Sequence, residues 1–260
     1  MPLEPLAIVN IDKREVVDPM DEWYGWHMRE YIANDMPLDF VWLFAAPVNT
    51  QSVDVPPIDD PDKPPRVAVG HWAGDRVFMV DWDCGWTLQH LLYPEEIEEL
   101  VAEYPLAAEN PLLHYFALEN FNRIRLPGRR YEGAEALFPT NRVWVLRNLT
   151  ERWYVRADVV TAPENRRGPA LVDRSGMGLG DLLWAELGGT YNDSTRLVKR
   201  TGGGPRPWGC TGSMGQRVDV QPIEAVHDSP DAAEWVDRSE DAKTSLREMD
   251  MELDVSEYRY

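Results

Sequence analysis

The chain has 260 residues, of which 43% are hydrophobic, and this length and apolar content exclude a wholly disordered protein. Its formal net charge of −19 argues against general affinity for nucleic acid or an anionic membrane. No run of about 18 apolar residues is present, and residues 1–15 lack the basic and apolar regions of a signal peptide, so the sequence predicts a cytoplasmic protein without a membrane partner.

The first third of the chain predicts short strands separated by irregular segments. Residues 6–17 indicate two strands about a polar turn, because β-branched residues flank Asn, Asp and Lys. Residues 21–46 are mostly helical in pattern, whereas residues 47–66 hold six prolines and four aspartates and predict a loop. Residues 76–82 follow as a strand.

The strongest helix prediction covers residues 94–104, PEEIEELVAEY. Pro94 suits the first helical position, and acidic residues follow it in the first turn, where they complement the helix dipole. Ile97, Leu100 and Val101 form one apolar stripe.

The remainder of the chain alternates helices, strands and a charged tail. A second helix is predicted over residues 111–123, and residues 143–160 predict two strands about a turn. Residues 177–189 predict a short helix that ends at a glycine pair, and residues 215–223 predict a final strand. Residues 228–260 carry 11 acidic and four basic residues and are expected to form a surface helix or a partly ordered arm.

Two parts of the chain repeat one another. The segment AIVNIDKREVV (7–17) aligns with VLRNLTERWYV (145–155) at a constant offset of 138, and GDRVFMV (74–80) aligns with GQRVDVQ (215–221). The same motifs in the same order predict a duplicated unit of β-hairpin, helix, loop and strand. The chain thereby resembles a family of fungal and bacterial proteins that share an Asn-Leu-Thr-Lys-Arg hairpin and a Trp-Ala-Gly-Asp-Arg motif. This resemblance supports the duplicated fold and implies no particular activity.

The predicted fold is α+β, with two related units forming one compact body. The first unit covers residues 1–90, a helical connector covers 91–139, the second unit covers 140–227, and the acidic tail covers 228–260. Each unit alone is close to the size at which a hydrophobic core becomes marginal, so the two are expected to share one core.

Six residues in or near the repeated motifs are candidates for binding a ligand or partner: Trp72, Asp75, Arg76, Trp82, Trp208 and Arg217. Tryptophan can stack on a ligand while aspartate and arginine form hydrogen bonds to its polar groups. The alternative interpretation is structural, with Trp72 filling the core and Arg76 pairing with a carboxylate, and the second copy of the motif favours it.

Asp81 and Asp83 are weaker candidates, for a metal site. Residues two apart on a strand share one face, so both carboxylates could contact a divalent cation. The five histidines form neither H-x-x-x-H nor H-E-x-x-H, and Cys84 and Cys210 form no C-x-x-C pair. The sequence therefore predicts no cofactor, and a solvent-facing strand end is the favoured interpretation of the two aspartates.

Charge is distributed unevenly along the chain. Residues 123–217 hold 16 Lys and Arg against nine Asp and Glu, while the remainder is strongly acidic. The acidic tail could therefore dock on this basic stretch, in the same chain or in another copy. The favoured hypothesis is a non-enzymatic protein-interaction or scaffold protein that binds a protein partner or itself. A small-ligand binder for a glycan or nucleotide and a metal-assisted hydrolase remain as alternatives.

Overall fold

The computed structural model describes residues 6–22, 40–46, 63–81, 86–127, 141–160, 179–180, 182–183 and 215–244. Most of the helix predicted over 21–46, nearly all of the loop predicted over 47–66 and most of the helix predicted over 177–189 lie outside these residues. So do Trp82, Asp83, Cys84, Trp208, Cys210 and the tail beyond residue 244.

The first sheet has four strands in the order β3-β1-β2-β4. They are β1 (Leu6–Asn10), β2 (Glu15–Val17), β3 (Val77–Asp81) and β4 (Asn122–Ile124). Strand β1 pairs antiparallel with both β2 and β3, whereas β2 pairs parallel with β4. The hairpin predicted over residues 6–17 is therefore confirmed.

The second sheet repeats this topology in the order β7-β5-β6-β8. Its strands are β5 (Trp144–Asn148), β6 (Trp153–Arg156), β7 (Val218–Pro222) and β8 (Val236–Asp237). The directions also match, because β5 is antiparallel to β6 and β7 while β6 is parallel to β8. The α+β fold with two related units is thus confirmed.

Four α-helices with defined bounds, further helical residues at 179–180 and 182–183, and several 3-10 segments complete the described structure. The helices are α1 (Leu88–Leu91), α2 (Pro94–Glu103), α3 (Leu113–Asn120) and α4 (Glu224–His227), and residues 239–244 are also helical. The 3-10 segments are Pro19–Glu22, Val41–Leu43, Pro105–Glu109 and Ala232–Glu234. Pro94 occupies the first turn of α2 as predicted. None of the described helices is long and apolar enough to span a membrane.

The main hydrophobic core lies between the two sheets. Alternate residues of the strands, such as Ile8 and Met79 from the first sheet and Leu146 and Val220 from the second, belong to one buried cluster. The opposite face of the first sheet packs against α1, α2 and α3 in a second cluster. Both units therefore contribute to one body, and the helices cover one side of it.

Two strands come from segments to which the sequence assigned other roles. Strand β4 belongs to the predicted helical connector, yet it extends the first sheet. Strand β8 belongs to the predicted acidic tail, yet it extends the second sheet. Each unit thus takes its fourth strand from beyond the segment that the repeat alignment covers.

Candidate functional site

The two repeated motifs meet each other where the sheets join. The amide of Gly74 donates to the carbonyl of Val218 at 2.9 Å, and the amide of Gly215 donates to the carbonyl of Val77 at 3.1 Å. Because Gly74 corresponds to Gly215 and Val77 to Val218, these two bonds are reciprocal, as in a two-fold interface. Both glycines have positive φ, 83° and 76°, which glycine adopts without a Cβ penalty.

A buried asparagine holds each hairpin against the motif that follows it. Asn10 accepts a hydrogen bond from the Lys13 amide at 3.0 Å and donates to Asp75 at 2.8 Å. Asn148 likewise accepts from the Glu151 amide at 2.8 Å and donates to Gln216. Both asparagines are fully buried, so these bonds replace the hydrogen bonds that each amide would make with water.

Asp12 lies at the centre of the junction and contacts an arginine from each repeat. Arg76 donates to it through Nε at 3.0 Å and Nη2 at 2.9 Å, and Arg217 donates through Nη1 at 2.8 Å. Burial opposes ionisation of Asp12, but the hydrogen bonds from Arg76 and the charges of both arginines outweigh it. They hold the pKa of Asp12 below its usual value.

Helix α2 adds a second carboxylate to the same arginine. Glu96 lies 2.5 Å from Nη2 of Arg76 and also accepts a hydrogen bond from the Tyr93 amide at 2.9 Å. Burial again opposes ionisation, but these contacts lower the pKa of Glu96. Glu96 therefore caps α2 and fixes the helix to the repeat junction.

A cleft of about 370 Å³ opens between the junction and α2. Its apolar lining comes from Ile11, Leu92 and Leu100. Its charged lining comes from both the junction and the helix: Asp12, Arg14, Asp75, Arg76, Glu96, Glu99 and Arg217. The cleft is thus an open polar site with groups of both signs and an apolar part.

Trp72 lies beneath this region in the core and is 0% exposed. Its indole nitrogen donates to Glu15 at 2.7 Å, and His71 Nε2 lies 2.9 Å from both oxygens of the same carboxylate. Burial opposes ionisation of Glu15, but these bonds lower its pKa. The placement agrees with the structural interpretation of Trp72, since its ring does not face solvent.

The exposed side of α2 forms a second candidate surface, here called the helical surface: Tyr93, Glu95, Glu98, Leu106 and Glu109. Tyr93 is 66% exposed and Leu106 is 56% exposed. Residues 88–120 contain seven glutamates and neither lysine nor arginine. Glu96 and Glu103 of this stretch pair with arginines of the first repeat, whereas the three glutamates of the helical surface form no ion pair with a described residue. The surface therefore combines negative charge with large apolar groups at its ends.

The structure brings together three of the predicted site residues, Asp75, Arg76 and Arg217, and places Trp72 in the core nearby. Asp81 ends β3, while its predicted partner Asp83 lies outside the described residues. Among the described residues, no group of three or more His, Cys, Asp or Glu is arranged to hold a metal ion.

Sequence reasoning did not single out Asp12, Arg14, Glu96 or Glu99. The first two lie in the repeated hairpin, so asking which residue each Arg of the later motif pairs with could have found Asp12. Glu96 was interpreted only as an acid that favours the start of a helix, and Glu99 was given no role. No family model matches the chain, and no curated protein or solved structure matches it either. The resemblance based on the two motifs therefore stays a prediction.

Proposed function

We propose that this protein is a non-enzymatic interaction protein whose helical surface binds a basic protein partner. The observation that carries the proposal is the composition of residues 88–120. Seven glutamates occur there without a single lysine or arginine, and three of the four large hydrophobic side chains exposed in the described structure lie in the same segment. Those three are Tyr93, Leu106 and Tyr115.

Charge complementarity is the reason for a basic partner. Glu95 and Glu98 point away from the body and have no described basic neighbour, so they attract positive charge from solution without first breaking an ion pair. Complementary charges steer a partner to such a surface and reject partners of like charge.

The exposed apolar groups supply the part of the affinity that charge does not. Tyr93 precedes α2, whereas Leu106 follows it, and a ten-residue helix is about 15 Å long. Tyrosine at an interface buries a large ring and keeps its hydroxyl in contact with water, and such residues often dominate binding energy. A partner with basic and apolar residues on one face would satisfy both kinds of group.

The role of the repeat junction in this proposal is mechanical. Asp12, Arg76 and Glu96 link both sheets to α2 through charge-assisted hydrogen bonds. The helix is therefore held in place before a partner arrives, which reduces the ordering cost of binding.

The test uses fluorescence anisotropy with a labelled amphipathic peptide of lysine and leucine and a matched peptide of glutamate and leucine. The full chain should bind the first peptide and not the second. The variant E95Q/E98Q/E109Q should weaken binding about tenfold or more, and Y93S/L106S should weaken it at high salt as well as low salt, because its loss is not electrostatic.

The matched control is D228N/E240Q/D241N, which makes the same change in net charge at exposed positions of the described part of the acidic tail. It should leave affinity for the basic peptide within about twofold. Equal weakening by both triple variants would mean that overall charge, rather than the helical surface, attracts the peptide. Absence of binding by the unmodified chain would contradict the proposal. If sedimentation shows instead that the chain dimerises through this surface, the basic partner is a second copy.

A further inference from the structure

We propose that the cleft between the repeat junction and α2 binds a small zwitterion, a molecule of the amino-acid class that carries one carboxylate and one ammonium group. Arg14 would hold the carboxylate and Glu99 the ammonium. This site is separate from the helical surface, and the inference does not depend on the proposed function.

Most of the charges around the cleft already neutralise one another. Asp12 and Glu96 together balance Arg76 and Arg217. Asp75 pairs with Lys13, whose Nζ lies 2.7 Å from the carboxylate. Once these pairs are set aside, one anion and one cation of the lining remain. The anion is Glu99, and the cation is Arg14, which contacts the Ile11 carbonyl and the half-exposed Glu103 but no carboxylate of the lining.

Arg14 has a hydrogen-bond donor that could bind the carboxylate of a ligand. Its Nε is buried and has no hydrogen-bond partner in the described part of the chain. The nearest carboxylate, on Glu103, lies 3.7 Å away, which is too long for a hydrogen bond, and Glu103 is itself more than half exposed. A buried N–H without an acceptor is costly. The Arg14 side chain is 25% exposed, so a small turn toward the cleft would let Nε form a charge-assisted bond to a ligand carboxylate that the protein alone does not make.

Glu99 supplies the opposite charge from the facing wall. It lies on α2 three residues after Glu96, so both carboxylates are on neighbouring positions of one helix face. Glu96 is occupied by Arg76, whereas Glu99 forms no ion pair or hydrogen bond with any other described residue. An ammonium group between Glu99 and the junction would complete this pairing.

The remaining lining selects for size and for an apolar component. Ile11, Leu92 and Leu100 are all nearly or fully buried residues that border the cleft. A volume of about 370 Å³ lies near the lower end of the range of small-molecule pockets, roughly 300–1,000 Å³. A dianion such as phosphate fits this lining poorly, because Arg14 offers it one positive charge while Glu99 would repel it.

Calorimetric titration of the full chain with leucine, with 6-aminohexanoate and with the other common amino acids tests the proposal. Leucine places its two charges on adjacent groups, while 6-aminohexanoate separates them, so the pair reports the spacing that the site prefers. At least one amino acid should bind. Its analogues that lack either the ammonium or the carboxylate should bind about tenfold more weakly or not at all.

Four variants then assign the two charges to their partners. R14Q and E99Q should each weaken binding of the preferred amino acid about tenfold. E99Q should in addition abolish discrimination against the analogue without an ammonium. R152Q changes the arginine that corresponds to Arg14 in the second repeat, and E240Q changes an exposed glutamate outside the cleft and the helical surface, so both should leave affinity within about twofold.

E99Q alters an exposed side chain and should fold normally, which keeps the test decisive even if R14Q is unstable. Failure of every amino acid to bind at millimolar concentration would overturn the proposal. Equal affinity for the singly charged analogues would overturn it as well, because the site would then recognise only one charge.

Discussion

The two repeats use the same hydrogen-bond geometry but different chemistry. Where the first repeat has Asp12 as acceptor for the Arg76 amide, the second has Thr150 as acceptor for the Arg217 amide, and both distances are 3.0 Å. Where Asn10 donates to the charged Asp75, Asn148 donates to the neutral Gln216. The fold therefore needs an acceptor at these positions, not a charge.

Each repeat also has a buried tryptophan whose indole N–H donates to a glutamate, although the two tryptophans occupy different positions. In the first repeat Trp72 donates to Glu15, whereas in the second Trp153, which occupies the position equivalent to Glu15, donates to Glu151. Both rings are buried in the core between the sheets. At these equivalent junction positions the charged partners belong to the first repeat, and the cleft lies on that side, beside α2.

Replacing each buried asparagine by aspartate should give the largest difference in stability between equivalent variants of the two repeats. N10D places a carboxylate within about 3 Å of the Asp75 carboxylate and should cost about 3 kcal/mol of unfolding free energy at neutral pH. N148D should cost less, about 1–2 kcal/mol, because Gln216 is neutral, although turning its N–H toward the new carboxylate would break its hydrogen bond to Glu151. Urea denaturation measures both values.

The pH dependence provides the control for this comparison. Repulsion from Asp75 should raise the pKa of the introduced carboxyl above its unfolded value of about 4. The penalty therefore grows as pH rises from about 4 to the raised pKa of the folded protein, and it disappears as pH falls toward about 4. A gap between N10D and N148D that stays constant from neutral to acidic pH would contradict this explanation.

Alanine at the two junction glycines should have the next largest effect. Both substitutions place a side chain at positive φ, at a cost of about 1–2 kcal/mol. At Gly74 the new Cβ would meet Leu149 Cδ1 at an ordinary 3.7 Å, but at Gly215 it would meet the Phe78 ring at 2.6 Å. G215A should therefore lose about 1–3 kcal/mol more than G74A. If thermal denaturation shows that G74A destabilises the protein as much as G215A or more, the junction relaxes around Phe78.

Asp12 and Thr150 accept hydrogen bonds from the amides of Arg76 and Arg217, and replacing each of them should show how much the charge of Asp12 adds to stability. D12N should cost about 1–3 kcal/mol at pH 7, because it weakens bonds to both Arg76 and Arg217. T150V removes the neutral acceptor of the second repeat and should cost about 1 kcal/mol.

Acid should erase the effect of D12N and leave that of T150V unchanged. The pKa of Asp12 is lowered in the folded protein, so its stabilisation is complete above the unfolded value of about 4 and is lost as pH falls through the folded pKa. In denaturation experiments the unmodified chain and D12N should begin to converge below about pH 4 and should coincide once the pH lies below the folded pKa of Asp12. A D12N deficit that persists there would mean that shape rather than charge is lost.

The smallest effect should come from R152Q. Arg152 lies 3.6 Å from Asp231 and pairs with Glu234, but its side chain is 44% exposed and water screens both pairs. We expect a change of less than about 1 kcal/mol, reduced further in high salt. A larger loss in urea denaturation would show that this exposed network stabilises the second unit more than its geometry indicates.

The parts of the fold that depend on local pattern could be predicted from the sequence. The hairpins at residues 6–17 and 143–160 follow from β-branched residues about polar turns. The duplication follows from the two pairs of aligned segments, which occur in the same order in both halves of the chain. Helix α2 follows from Pro94 and its apolar stripe.

The elements that depend on distant pairing could not be predicted in this way. Strands β4 and β8 have three and two residues, and each exists because a parallel partner lies far away in the chain. The cleft was missed for the same reason. Glu96 and Glu99 have their roles only because α2 packs beside the arginines of the junction.

Hydrogen exchange at the amides of Gly74 and Gly215 tests most directly whether the two repeats form one cooperative body. Each of these amides donates across the junction to the other repeat. We predict that both exchange only through global unfolding, with the same protection as the core amides of β1 and β5. Denaturant should then lower the protection of the two glycine amides and of these strand amides in parallel. Rapid exchange at both glycines while β1 and β5 remain protected would contradict the account, because the repeats would then separate without unfolding.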